Sequence, residues 1–207
     1  MKRIVASITT FLALVMPTIA LASNWSIDPD HTTIGFKVKH MMVSTVNGNF
    51  LKHTGTVTIN DKDITKSRVE ISIDTASINT NVAKRDEHLR SADFFDVAKY
   101  PAMTFVSKTV AKAGKGKLKV TGDLTLHGVT KEVVLTVDGP TRESKDPWGN
   151  LRRGATATTR INRQDFGLVW NKTLETGGVL IGNDIVIILE IEMIKDKDNT
   201  ALLQQLK

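Results

Sequence analysis

Five histidines, His31, His40, His53, His88 and His127, are the side chains of this sequence best suited to ligate a metal or move a proton near neutral pH. None stands four residues from another and no two share a short loop, so the spacing that builds a zinc site on one element is missing. The chain has no cysteine, which excludes a disulfide scaffold, a thiol enzyme, a cysteine-ligated zinc or iron-sulfur site and a cysteine-anchored lipoprotein. The string Arg85-Asp86-Glu87-His88 gathers acid, base and imidazole, but on a charged helix such a string ordinarily forms a solvated face with i, i+3 and i, i+4 pairs. There is no Gly-x-Ser-x-Gly elbow and no glycine-rich phosphate loop. The expectation is therefore no catalytic residue, no metal and no cofactor.

Charge poses a second question. The 207 residues carry a net charge of +6, and Lys108, Lys112, Lys115, Lys117 and Lys119 follow one another with no acid between them. Such a basic hairpin could touch an anionic membrane surface transiently, or could simply deter edge pairing of strands. Three Trp, one Tyr and seven Phe supply few rings for base stacking, so no nucleic-acid partner is expected.

The elements that must position these residues begin after residue 22. Lys2 and Arg3 precede an apolar run from Ile4 to Leu21, and Ala20-Leu21-Ala22 offers small side chains where a signal peptidase reads. Residues 1–22 are read as a cleaved signal peptide, and the remainder as an exported protein starting at Ser23. No later segment approaches the roughly 20 apolar residues of a transmembrane helix. Residues 23–194 form one domain, and residues 195–207 form a polar tail whose Ala201–Leu206 stretch could make a short helical turn.

Two-residue alternation dominates the domain. Ile34, Phe36 and Val38 alternate with Thr33, Gly35, Lys37 and Lys39, which gives an extended segment one apolar and one wet face. The pattern recurs at Val57 and Ile59, at Val69 to Ile73, at Met103 and Phe105, and at Leu118 to Leu126. It continues at Val133 to Val137, at Arg153 to Ile161 and at Ile185 to Met193. Eight one-sided strands with short polar connections predict an all-β fold, an eight-stranded antiparallel barrel whose closure leaves no exposed edge. Leu126-His127-Gly128-Val129 predicts a tight hairpin and Ala113-Gly114-Lys115-Gly116 a looser one. One short helix, Asn81 to Asp93, is inserted near the barrel mouth, where it sets Phe94 and Phe95 beside the opening.

A barrel of eight strands has a lumen that side chains just fill or that holds one small apolar ligand. The inward positions that would meet such a ligand are Ile34, Phe36, Val38, Val57, Val69, Ile71, Phe105, Leu124, Leu135, Ala155, Ala157, Ile187 and Leu189. His40, Met41, Met42, Phe94, Phe95 and Trp170 are the mouth candidates, because methionine adapts to irregular apolar surfaces and tryptophan combines an apolar body with one donor.

Several strings also carry a family resemblance. Phe36-Lys37-Val38-Lys39-His40-Met41 followed by Val46-Asn47-Gly48-Asn49-Phe50 resembles the opening of the YceI-like family of periplasmic polyisoprenoid-binding proteins. Arg85 to Asp96 with Tyr100-Pro101, Gly122 to Thr130, and Asn162-Arg163-Gln164-Asp165-Phe166-Gly167 agree with it in order, across roughly Trp25 to Ile194. The resemblance implies a lipocalin-like barrel that binds a long isoprenoid lipid in its lumen, without established catalysis. Arg85, Asp86, His88, Asp93, Asp123, Arg163 and Asp165 are expected to tie loops and helix together by charged hydrogen bonds rather than to touch ligand. Three function classes follow: a carrier or buffer for a polyprenol or quinone type lipid, an enzyme acting at the mouth, or a solid barrel binding an anionic partner. Oligomeric state is not legible in the sequence.

Overall fold

The computed structural model describes residues 22–197 apart from Thr176, so the proposed leader, Ala22 aside, and the tail turn at 201–206 lie outside the described residues. In chain order the strands are β1 (Ser23–Ile27), β2 (Thr33–His40), β3 (Ser44–Phe50), β4 (His53–Ile59), β5 (Arg68–Asp74) and β6 (Ile78–Asn79). The helix α1 (Ala83–Arg90) follows, then β7 (Ala102–Lys112), β8 (Lys117–Leu126), β9 (Val129–Asp138), β10 (Ser144–Lys145), β11 (Leu151–Asn162) and β12 (Ile181–Lys195).

Eight of these strands close a ring in the order β12, β1, β4, β5, β7, β8, β9, β11 and back to β12, every pairing antiparallel. The barrel is as the alternation predicts, but its membership differs. β12 is long enough to serve two partners on one edge: Met193–Lys195 pair with β1, while Ile181 and Ile185–Glu190 pair with β2. β2 then carries β3 and β6 as a side wall at one end of the barrel. β1 and β3 are absent from the sequence expectation for physical reasons. β1 shows only Trp25 and Ile27 as apolar residues. β3 alternates polar residues with Gly48 and a single Val46.

The hairpins form where expected. β8 and β9 are joined by His127 and Gly128, both with positive φ (52° and 75°), the conformation a two-residue I′ turn requires. The helix is shorter than expected, because Asn81 adopts a left-handed φ of 59° and Ser91 is already extended. Eight residues are too few for a stable isolated helix. Its side chains anchor it instead: Arg90 donates to the Ala76 and Ile78 carbonyls (2.8 and 2.9 Å), and Arg85 donates to the Thr80 hydroxyl and carbonyl (2.7 and 2.9 Å). The Asp86 carboxylate, buried, accepts the Thr80 backbone N–H at 2.9 Å and its hydroxyl as well.

The interior divides along the barrel axis. At the end formed by β1, the start of β11 and the end of β12, Trp25, Ile59 and Met193 pack with Val57, Leu151, Ala155 and Ile191, and Ile64 covers them. The Trp25 ring is fully buried, with the Arg153 guanidinium 5.0 Å and the Lys195 ammonium 5.5 Å from its centroid. Nearby, Arg152 donates to Asp146 (2.8 Å), to Asp28 (2.6 Å) and to Glu192, which ties β11, β12 and the segment after β1 together. The opposite end is hollow.

Candidate functional site

A cavity of about 600 Å³ occupies the hollow end, within the size range of small-molecule sites. β2, β5, β7, β8, β9, β11 and β12 supply its apolar walls because alternation turns every second side chain inward. Of the positions read from the sequence, Ile34, Phe36, Val38, Ile71, Phe105, Leu124, Leu135, Ile187 and Leu189 line it. Val57 and Ala155 instead belong to the packed closed end. Val69 packs against the main core and Ala157 is buried within it, neither at the cavity wall. Alternation fixes which face a residue takes but not its depth along the axis, and these four sit at depths where side chains fill the lumen.

Among the mouth candidates, His40, Phe94, Phe95 and Trp170 line the cavity, whereas Met41 and Met42 do not. The methionines occupy the β2–β3 turn just outside, both with positive φ (51° and 59°). Phe94, Trp170 and His88 pack with ring centroids 4.9 to 5.1 Å apart, and His88 Nε2 lies 2.9 Å from an Asp93 carboxylate oxygen. Phe50 sits between Phe36 (5.9 Å) and Phe95 (5.6 Å), so an aromatic band runs from the β2–β3 wall to the segment after α1.

Arg163 holds the other side of the mouth. Its guanidinium is buried and donates to the carbonyls of Leu168, Trp170 (2.9 Å) and Gly182 (3.1 Å) and to the Asn183 side-chain oxygen (3.3 Å). Burial pushes its pKa down from the usual arginine value, while the four acceptors take four of its five N–H protons. One side chain thus ties Leu168 and Trp170 to the start of β12. Arg85 and Asp86 likewise bond Thr80 rather than open space, Asp123 pairs with Lys108 at 2.6 Å, and Asp165 lies in the first turn of the short helical segment after β11.

Further wall residues were not singled out from the sequence. Ile73, Met103, Leu126, Val133, Ile161 and Ile185 share the inward faces of strands that were recognised, so the signal was present. Leu168 and Leu180 lie in irregular chain, where no periodicity points to them. The lining also contains Lys39, Lys84, Arg85, Arg163, His40 and His88, with no carboxylate. The basic hairpin lies at the far end, since Val110 and Leu118 do not reach the cavity, and Lys108 there is paired with Asp123 and Glu132.

One constellation outside the cavity has metal-like geometry. Ligand atoms of Asp28, His31 and Glu192 lie within 4.8 Å of one another, yet the Arg152 guanidinium bonds both carboxylates and stands where a cation would. Burial pushes the Asp28 pKa up, but hydrogen bonds from His31, Arg152 and the Asp30 N–H outweigh it and leave it lowered. The donor set is already neutralised from within.

Comparison with known proteins places this geometry. A family model for the YceI-like domain matches residues 25–193. A UPF0312 protein of Vibrio parahaemolyticus is 40% identical over 170 residues, which span 81% of this chain and 89% of that protein. The crystal structure of a Campylobacter jejuni YCEI protein is similar with a TM-score of 0.66 at 33% identity, over 82% of this chain and 96% of that one. A polyisoprenoid binding domain from Saccharophagus degradans shares the fold, with a TM-score of 0.61 at 16% identity over 84% of this chain and 99% of that one.

Proposed function

The chain belongs to the YceI-like domain family, and on that premise we propose that it binds a long isoprenoid lipid, of polyprenol or quinone type, in the hollow end of its barrel. The observation that carries this reading is the cavity itself: about 600 Å³ walled by aliphatic and aromatic side chains, where only an apolar ligand escapes the cost of unpaired polar groups. The fold neighbour from Saccharophagus degradans, a polyisoprenoid binding domain, supports the same ligand class. Each buried methylene adds about 0.8 kcal/mol, so a prenyl chain of several units offsets its loss of freedom.

The protein acts as a periplasmic carrier or buffer. Among the described residues the wall holds bases but no carboxylate, and of its two hydroxyls, on Thr80 and Thr159, the buried one on Thr80 is committed to Asp86 and Arg85, so binding suits the site better than conversion. A solid barrel serving an anionic partner suits it less, because the lumen has space. Cleavage before Ser23 would leave β1 whole.

One preparation tests these statements together. Protein purified from the periplasmic fraction is measured by intact mass, and its organic extract by mass spectrometry. The expected results are a chain beginning at Ser23 and an unmodified isoprenoid in the extract. A retained leader would refute cleavage before Ser23, absence of the protein from the periplasmic fraction would refute export, and an extract with no prenyl lipid, or with one altered on incubation with protein, would refute the carrier reading.

A further inference from the structure

We propose that the rim of the cavity is a membrane-docking surface, seated on an anionic phospholipid leaflet, across which the ligand passes between bilayer and lumen. The inference rests on the lipid-binding reading and adds the surface from which the ligand is taken.

Of the nine large apolar side chains exposed among the described residues, five lie at this rim, while Leu51, Val106, Val134 and Trp148 are scattered elsewhere. Met41, Met42 and Val43 are 43%, 64% and 85% exposed, Val82 at the start of α1 is 47% exposed, and Val169 beside Trp170 is 63% exposed. They are continuous with the opening. The Met41 N–H donates to the Leu180 carbonyl at 2.8 Å, and Leu180, Val82 and Trp170 all line the cavity. Single exposed apolar residues need no explanation, but a ring of them around an apolar cavity marks an interaction surface.

The turn chemistry points the same way. Two successive positive φ values favour Asn-Gly, yet this turn carries two methionines, which pay a conformational cost while remaining 43% and 64% exposed in the isolated protein. Insertion of Met42 and Val43 into the acyl boundary recovers that burial, and methionine adapts to a fluid surface. Charge selects the leaflet. Lys39 and Lys84 stand at the same rim, and among the described residues neither forms an ion pair. Among the described residues no carboxylate lines the opening, and Asp93 is engaged by His88. Two unpaired ammonium groups beside an apolar tip complement a negative leaflet. At the far end Trp148, 82% exposed on the β10–β11 loop, stands alone, and the lysine hairpin has acids beside Lys108, so the mouth, where five exposed apolar side chains and two unpaired lysines meet, is the face that docks.

The test uses the mature chain, stripped of lipid, with sedimentable vesicles of phosphatidylcholine alone or mixed equally with phosphatidylglycerol. Wild-type protein is expected to pellet with the mixed vesicles, less with the neutral ones, and to extract a prenol from them. Val43→Glu/Val169→Glu, at exposed positions outside the cavity wall, should lower mixed-vesicle binding about tenfold. Its uptake of the same prenol delivered from ethanol should stay unchanged, which also verifies folding. Met42→Glu gives an independent variant, and Lys39→Gln/Lys84→Gln should erase the preference for the mixed vesicles. Wild type that remains in the supernatant, or glutamate variants that pellet as wild type does, would overturn the docking proposal. Failure of wild type to take prenol from ethanol would instead refute the ligand reading, while pelleting would still report on docking.

Discussion

His53 shows what a single buried group does to this barrel. It lies on β4 at 7% exposure, paired in register with Ile73, and neither ring nitrogen has a hydrogen-bond partner. Burial holds its pKa below the ordinary histidine value. Above about pH 6.5 the ring is neutral in folded and unfolded chain alike, and it adds no pH dependence. As the pH falls from there toward the lowered folded value, the unfolded chain takes the proton and the folded one does not, so stability declines and then levels off. Asp28 and Asp146, held low by their hydrogen bonds, keep their contribution until more acidic pH. His31 has the opposite sign: its hydrogen bond to Asp28 raises its pKa, so its contribution is present below about pH 6.5 and is lost as the pH rises through the folded value. The expected outcome is that His53→Leu flattens the loss of melting temperature between pH 7 and pH 5, a range set by the ordinary histidine pKa of about 6.5. An unchanged slope would mean that His53 takes up its proton in the folded chain as readily as in the unfolded one. Nothing in the sequence marks His53 as buried, since its neighbours Lys52 and Thr54 are polar; register alone turns it inward.

At the scale of elements, β12 organises the molecule. It pairs with β11 along its length and with β1 and β2 end to end on the other edge, so its register fixes both the packed end and the mouth. Leu189 faces the cavity at 7% exposure, and Glu190 faces solvent. Leu189→Ala should therefore cost about 2 to 5 kcal/mol, toward the low end because the lost volume adjoins existing space. Glu190→Ala should stay within about 0.5 kcal/mol. Denaturant titration decides it, and equal costs would reverse the register. Alternation made this strand legible, as it did β5, β7, β8 and β9. It could not reveal β3, whose Thr45, Asn47 and Asn49 alternate with Val46 and Gly48. That glycine leaves room for an aromatic ring on the neighbouring strand: a Cβ there would lie 2.4 Å from the Phe36 ring. Nor does periodicity reach the segment from Leu168 to Leu180, which takes its shape from the long-range bonds of Arg163 and of Asn171, whose amide donates to Ile181 and whose oxygen accepts the Ile181 N–H.

The whole molecule has two unequal halves, and their inequality predicts how it responds to its ligand. At the closed end Trp25, Ile59 and Met193 fill the lumen and Arg152 locks three chain segments, so that half is complete without a ligand. At the mouth the walls face empty space, α1 is too short to stand alone, and the Leu168–Leu180 segment is held to the start of β12 by the side chains of Arg163 and Asn171. An apolar chain in the cavity supplies the missing contacts to that half only. Hydrogen exchange of stripped protein should therefore show fast amides in α1, β3 and the start of β12, and slow ones in β1, β4 and the end of β12. A prenol at about 100 times its Kd should add about 2.7 kcal/mol to global stability and slow exchange at the mouth, with amides that already open only by global unfolding gaining no more than that. Lengthening the prenyl chain should strengthen the effect until the cavity of about 600 Å³ is filled, after which further units extend past the rim and add little. If the two halves exchange at the same rate without ligand, the barrel opens as one unit and the division of its interior has no bearing on how it holds a lipid.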